Sequence, residues 1–272
     1  MRKKLLNGKM IGVLVIILVR FAAVGQAEEE ITDAGGQWTY VLEDGGASIT
    51  DYVGEPSGDL VIPDELDGVP LTGIGDNAFD FCENLTGIII PDSVTRIGDY
   101  AFSRCVALTN VTIPAGVTHI GFAAFTGCEN LTGVIIPAGV KSIEEAAFSW
   151  CGSLTVATIP DGLTSIGTDV FSYCYSLTSV TIPESVISIG NFAFYQCSHI
   201  TGVIIPESVT SIGMGAFQEC KVLACVTIPA SVTDIGIDAF GECENLILSV
   251  IPGSFAEQYA EENDISYVST AE

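Results

Sequence analysis

A constant interval of 23 residues separates eight of the nine cysteines in this chain. The residues around each cysteine recur at the same interval, so the repeat is a whole structural unit. The first unit runs from Ile74 to Arg96, and seven more follow it without a gap. A fixed period of about 20 to 29 residues, rich in Leu, Ile and Val, is typical of a solenoid in which each repeat forms one coil. The spaced residues are Cys82, Cys105, Cys128, Cys151, Cys174, Cys197, Cys220 and Cys243.

Within each unit the apolar residues change their spacing. The first group is spaced as on one stripe of a short helix: Ala78, Phe79, Cys82 and Leu85. Residues 87–90 then alternate at period two, as in a strand, and the proline that follows lacks an N–H and ends it. This pattern predicts an α/β solenoid. Each coil directs eight apolar side chains inward, its neighbours cover them, and the strands form one parallel sheet.

The N-terminus carries the pattern of an export signal. A basic start, an apolar run over 11–19 and small residues up to Ala27 predict a secretory signal peptide over 1–27. The apolar run is too short to cross a bilayer, which requires about 20 residues. We therefore expect a secreted or cell-surface location, with no stable membrane insertion of the mature chain.

Removal of residues 1–27 would leave a strongly acidic protein. Four basic residues then stand against 34 acidic residues, a formal net charge of −30. Such a surface repels phosphate backbones and anionic lipids, so nucleic acid is not expected as a partner. The charge also keeps an apolar solenoid soluble.

Residues 28–73 are predicted to form an N-terminal cap. Their alternating stretch over 37–53, interrupted by a Gly-Gly turn, is typical of a β-hairpin. The stretch Leu60-Val61-Ile62-Pro63 copies the strand ending of the repeats, so it predicts a divergent first coil with an insertion before Ile74.

The eight repeats are predicted to span 74–252, followed by a C-terminal cap over 253–272. Ser254 and Glu257 are spaced as a capping box, which predicts a helix of about ten residues from there. Phe255 and Tyr259 fall on one face of this helix and are expected to lie over the last coil.

The unit Ile-Gly-x-x-Ala-Phe-x-x-Cys-x-x-Leu-x-x-Val-x-Ile-Pro-x-x-Val-x-x closely resembles the BspA-like leucine-rich repeat, found in surface and secreted proteins of anaerobic bacteria and some parasitic protists. The resemblance covers 60–252. Phe and Ile-Pro recur in all eight units, and Glu144 is the only departure from Gly at the second place. The resemblance implies a right-handed horseshoe with the parallel β-sheet on its concave face, closed by the hairpin and helical caps. It also implies adhesion or host-protein binding, and no catalytic residue.

The cysteines allow three interpretations. Buried cysteine behaves as a small hydrophobe, and eight side chains that all point into a packed interior favour this role. Disulfides between neighbouring coils and a metal site are the alternatives, although metal ligands would have to converge on one centre. Cys225 lies off the interval, at an outward strand position, and is predicted to be a free thiol on the concave face, available for intermolecular pairing.

The concave face is the candidate ligand-binding surface. Isoleucine occurs there wherever the preceding outward residue is glycine (Gly87, Gly133 and Gly202), which predicts three apolar depressions that a partner's strand or loop could fill. The alternative is that β-branched residues simply suit a strand. Trp150 and Tyr173 are predicted to be further exposed aromatics, on the convex side. The outward residues are Ile89, Thr112, Ile135, Thr158, Thr181, Ile204 and Thr227.

The sequence therefore predicts an exported, non-catalytic module that binds a protein partner, such as a host or extracellular-matrix protein. No cofactor, metal or catalytic residue is expected. The alternative is a structural or self-assembling surface protein, and a hydrolytic enzyme is a remote third.

Overall fold

The computed structural model describes residues 29–43 and 45–270, and the predicted signal peptide lies outside them. The described chain forms a β-solenoid of stacked parallel coils. Before the repeats come six strands: β1 (Ile31–Thr32), β2 (Trp38–Glu43), β3 (Gly46–Tyr52), β4 (Gly58–Val61), β5 (Glu65–Leu66) and β6 (Val69–Ile74).

The repeats contribute short strands only. They are β7 (Leu85–Ile89), β8 (Arg96–Ile97), β9 (Asn110–Thr112), β10 (His119–Ile120), β11 (Gly133–Ile135), β12 (Ser142–Ile143), β13 (Val156–Thr158), β14 (Ser165–Ile166), β15 (Ser188–Ile189), β16 (Gly202–Ile204), β17 (Ser211–Ile212), β18 (Cys225–Ile228), β19 (Asp234–Ile235) and β20 (Ile247–Val250). The helix α1 (Phe255–Glu262) and the strand β21 (Ser266–Ser269) follow them.

These strands lie on two sides of the coils, so the prediction of one parallel sheet is wrong. The long-strand side consists of β7, β9, β11, β13, β16, β18 and β20; the short-strand side consists of the two-residue strands β8, β10, β12, β14, β15, β17 and β19. On both sides each strand pairs in parallel with the equivalent strand of a neighbouring coil, as Gly133 does with Val156. The long-strand pairing is interrupted between β9 and β11, and again after β13, where Ser179 forms only an isolated bridge with Val156.

The segments that join a short strand to the next long strand are called arcs here; the first spans 75–84. The prediction of a short helix in each arc is wrong, because the arcs are chains of turns. Asn77 and Phe81 have left-handed backbones, with φ of 60° and 58°. The N–H groups of Asn77, Phe79 and Phe81 donate to carbonyls of the next coil at 2.8 Å. Hydrogen bonds between coils thus replace the i to i−4 bonds that a helix would need.

The core confirms the predicted inward positions. The phenylalanines at the centre of the arcs form one continuous stack, with ring centroids 5.1 to 5.7 Å apart and planes within 11° of parallel. Its members are Phe79, Phe102, Phe125, Phe148, Phe171, Phe194, Phe217 and Phe240. Trp38 packs edge-on against the first ring at 6.4 Å, and Tyr259 packs edge-on against the last at 6.2 Å.

The predicted N-terminal hairpin is present. Strands β2 and β3 pair antiparallel, and β3 then pairs in parallel with β6, which joins the hairpin to the short-strand side. The predicted first coil is also present, since β4 pairs with β7 and brings Val61 opposite Ile89. This hairpin places Trp38 at the end of the phenylalanine stack.

Helix α1 has eight residues, and the Ser254 hydroxyl accepts a hydrogen bond from the Glu257 N–H, as the capping box predicts. Tyr259 is buried against the last coil. The expectation for Phe255 is wrong, because its side chain is 40% exposed. A helix of two turns buries only a narrow stripe, here occupied by Ala256, Tyr259 and Ala260.

The last coil closes one residue short of the repeat. Leu248 pairs with Val226 and Val250 with Ile228, so both lie 22 residues after their partners. Leu248 and Val250 are fully buried, whereas Ile251, which the repeat would place inside, is half-buried. The local alternation of apolar residues therefore sets the register here, since a shift by one residue would turn Ser249 into the core.

Candidate binding surface

Three isoleucines stand out on the long-strand side, on the face turned away from the core, which we call the outer strand face. Ile135 is 74% exposed and Ile204 is 73% exposed, whereas Ile89 is 57% exposed. Thr112, Thr158 and Thr181 are also exposed there, and Thr227 is half-buried. The 23-residue repeat places these residues in one column. Strand pairing links Val61 to Ile89 at the start of the column and Thr227 to Val268, through Ser249, at its end.

Two of the three predicted apolar depressions are open. A methyl group added to Gly133 would find only the Val156 carbonyl oxygen, at 3.8 Å, and one added to Gly202 only the Cys225 carbonyl oxygen, at 3.3 Å. Ile135 and Ile204 therefore each stand beside an uncovered stretch of backbone. Val156, which is 53% exposed, lies opposite Gly133 and extends the first depression.

The third predicted depression, beside Ile89, does not exist. A methyl group on Gly87 would come within 2.6 Å of the Asp59 carboxylate, which fills this space. The Thr86 hydroxyl donates to Asp59 at 2.9 Å and holds the carboxylate in place. The divergent first coil thus supplies a charged group where the regular repeats would leave a gap.

Several threonines beside the outer strand face use their hydroxyls in hydrogen bonds with the backbone. The hydroxyls of Thr109, Thr132 and Thr155 donate to the carbonyl of the equivalent threonine one coil earlier, at 2.9 to 3.2 Å. The Thr158 hydroxyl accepts from the Ile136 N–H at 3.2 Å. These groups stabilise the stack, so their hydroxyl protons are not free to bind a ligand.

Cys225 is a free, exposed thiol at the edge of the second depression, opposite Gly202 in the strand register. The other eight cysteines are free as well, and six of them are fully buried. Each thiol from Cys105 onward in this column donates to a phenylalanine carbonyl of the preceding coil, as Cys151 does to Phe125 at 3.3 Å. Burial raises the pKa of Cys151 to about 12. The column therefore serves as core packing, with neither disulfides nor converging ligands.

A second column of outward residues lies on the arcs and was not predicted from the sequence. Each member immediately precedes a repeat cysteine, has a left-handed backbone and points outward, so we call it the arc column. A column-by-column reading of the 23-residue alignment would have shown it. Its members are Phe81, Arg104, Gly127, Trp150, Tyr173, Gln196, Glu219 and Glu242.

Planar groups in neighbouring coils of the arc column stack on one another. Trp150 and Tyr173 lie with ring centroids 3.9 Å apart and planes within 15°, and Trp150 is 48% exposed. Tyr175 packs edge-on against both rings. The Arg104 guanidinium lies over the Phe81 ring, 4.7 Å from its centroid. Sequence reasoning singled out Trp150 and Tyr173 but could not show that they stack.

Acidic side chains continue the arc column towards the C-terminus. The Tyr195 hydroxyl donates to Glu219 at 2.7 Å, and the Gln196 amide donates to the same carboxylate at 2.9 Å. The hydrogen bond to Glu219 raises the pKa of Tyr195. At the other end, a cavity of about 350 Å³ between the hairpin and the first arc is lined by Asp51, Glu55 and other polar groups.

The described residues show neither a cluster of metal ligands nor a helix of transmembrane character. Among residues 29–43 and 45–270, no three His, Cys, Asp or Glu side chains are placed to share a metal ion. Within the same residues, the chain has no helix with the length and apolar character that a membrane span requires.

The family model for the BspA type leucine-rich repeat region matches residues 72–201 and 164–261, which together cover most of the chain. The structure is similar to that of a leucine-rich cell surface protein from Faecalibacterium prausnitzii A2-165, at 26% identity over 91% of this chain and 96% of that one, with a TM-score of 0.61. It is also similar to a leucine-rich repeat protein of T. pallidum, at 28% identity over 86% of this chain and 97% of that one, with a TM-score of 0.59. No curated protein sequence matches the chain.

Proposed function

We propose that this chain, which belongs to the BspA-type leucine-rich repeat family, is an exported, non-catalytic binding and adhesion module at or outside the cell surface. The predicted signal peptide supports export, and one of the similar structures is that of a cell surface protein. The partner would be a protein, such as a host or extracellular-matrix protein. The proposal includes the right-handed horseshoe, with the outer strand face on its concave side.

The observation that carries the proposal is the pair of open depressions on the outer strand face. Ile135 and Ile204 are each about three-quarters exposed beside a bare glycine, so a partner could bury the isoleucine side chain there, and that burial would be favourable. The hydroxyls of Thr132, Thr155 and Thr158, near Ile135, are already bonded within the chain. A partner that inserts apolar side chains beside Gly133 and Gly202 would bury these isoleucines.

The test compares Ile135→Asp and Ile204→Asp with a matched control, Ile237→Asp. Ile237 is 75% exposed but lies on an arc, away from the long strands and the outer strand face. Wild type and variants are applied to an array of purified extracellular-matrix and host surface proteins, and each captured protein is measured by biolayer interferometry. We expect the two strand-face variants to bind at least about tenfold more weakly and the control to bind as wild type does. Equal affinity of all four proteins would refute binding through this face.

Self-assembly is the second candidate function, and Cys225 is the observation that favours it. Its exposed thiol lies beside Gly202, so two copies joined through their outer strand faces would bring two thiols together. Light scattering of wild type and Cys225→Ser, with and without reductant, tests this. A reductant-sensitive dimer in the wild type alone would support it, and a monomer under all conditions would exclude it.

A further inference from the structure

The arc column contains one gap. Seven of its eight members carry a side chain, and Gly127 carries none. Gly127 lies between Arg104 in the preceding coil and Trp150 in the following one. The Trp150 ring is stacked on Tyr173 on one face, while its other face points along the column towards this gap.

The gap has the dimensions of one planar group. Equivalent residues in neighbouring coils lie about 5 Å apart, so Arg104 and Trp150 are separated by two such steps, about 10 Å. A ring placed midway would lie about 5 Å from each of them, which is within the range for offset stacking on the indole and for a cation over a ring. Its other face would lie against the Arg104 side chain, whose guanidinium already stacks on Phe81 in the preceding coil.

We propose that the gap above Gly127 is a binding slot for an aromatic side chain of a partner protein, inserted between Trp150 and Arg104. One wall is an indole face and the other a guanidinium, and both stack favourably on an aromatic ring. The residues that flank the inserted aromatic would be basic, because residues 28–272 carry a formal net charge of −30 and the nearby Glu129 is exposed. This site is separate from the outer strand face and does not depend on it.

Gly127→Phe tests the slot most directly, because the new phenylalanine side chain would itself occupy it. Gly127 has φ of 72°, and Trp150 and Tyr173 occupy the same place in their coils at φ of 60° with full side chains. The added Cβ would lie 3.2 Å from Cγ of Arg104, so the exposed arginine stem must shift by a few tenths of an ångström. The fold should accept this change, which circular dichroism and thermal unfolding check.

The probe is a fluorescently labelled pentapeptide with a central phenylalanine flanked on each side by two lysines, and the matched peptide has a central leucine. Fluorescence anisotropy at low salt gives both affinities. We expect wild type to bind the phenylalanine peptide about three- to tenfold more tightly than the leucine peptide. Gly127→Phe and Trp150→Ala should both abolish this preference while keeping the weak binding of the leucine peptide.

The control is Gly133→Phe on the outer strand face, where an added Cβ meets only an ordinary contact at 3.8 Å. It should disturb the proposed function and leave the phenylalanine preference intact, so the two proposals can fail separately. Equal affinity of wild type for both peptides, or a preference that survives in Gly127→Phe, would overturn the slot. Binding of a soluble oligosaccharide that both slot variants abolish would show that a sugar ring, and not an aromatic side chain, is the occupant.

Discussion

Truncation of a phenylalanine in the middle of the stack should destabilise the solenoid severely. Phe148 is fully buried, and its ring lies between those of Phe125 and Phe171, at 5.3 and 5.7 Å. Replacing a buried phenylalanine by alanine costs about 3–5 kcal/mol through lost burial and the cavity left behind. Each stacked pair adds roughly 0.5–1.5 kcal/mol beyond burial, so Phe148→Ala should lie in the upper part of that range.

The position of Phe148 adds a second effect. In a linear array each coil contacts only its neighbours, so stability is approximately a sum of coil terms and interface terms. A weakened interface in the middle of the array separates it into two halves. We therefore expect a broader unfolding transition, with a lower apparent m-value, as well as a lower free energy of unfolding.

Urea unfolding followed by circular dichroism and tryptophan fluorescence measures both effects. The matched control is Phe81→Ala, whose ring is 52% exposed and contacts Arg104, and whose loss should cost no more than about 1 kcal/mol. A loss below about 2 kcal/mol in Phe148→Ala, or equal losses in both variants, would refute the view that the ring stack stabilises the array.

Two further predictions concern the cysteines. Burial raises the pKa of Cys243 to about 11 and that of Cys151 to about 12, so above pH about 9 the unfolded chain loses thiol protons that the folded chain keeps. The free energy of unfolding should therefore be constant below pH 9 and fall above it, by up to about 1.4 kcal/mol per pH unit for each buried thiol. The slope should be smaller in Cys151→Ala. Urea titrations in reductant at pH 7.5 to 10.5 measure this, and one constant free energy of unfolding over that range would contradict it. Cys225 should react first with a chromogenic disulfide reagent at neutral pH, because it is the exposed thiol; persistence of the fast phase in Cys225→Ser would show that another cysteine carries it.

The sequence was sufficient to predict the parts of the fold that depend on periodicity. The interval of 23 residues predicts the coil, and the inward positions from Phe79 to Val94 are buried as expected, except for the half-buried Cys82. Short sequence patterns also predicted features at both ends of the array, where the hairpin and the Ser254 N-cap are present. In these cases the short-range pattern and the tertiary packing favour the same structure.

The arcs could not be predicted in the same way. Their spacing at i, i+1, i+4 and i+7 fits a helix, and residues such as Tyr100 and Phe192 give no local signal for the left-handed backbone they adopt. That conformation depends on hydrogen bonds to the next coil, as from Tyr100 N–H to the Phe122 carbonyl at 2.8 Å. A helix would satisfy these groups within one coil and leave the neighbouring coil unpaired, so stacking overrides the local preference.

The same dependence on neighbours explains why both candidate sites lie at glycines. In a stack of equivalent coils, each outward side chain is covered partly by the residues one coil before and after it. Ile89 is 57% exposed where Asp59 covers the adjacent glycine, whereas Ile135 and Ile204 reach 74% and 73% where no side chain does so. On the arcs, Gly127 interrupts the column beside Trp150, the most exposed tryptophan of the described chain. A glycine in an otherwise filled column therefore exposes the apolar surface of its neighbour, and both proposed binding sites use such a gap.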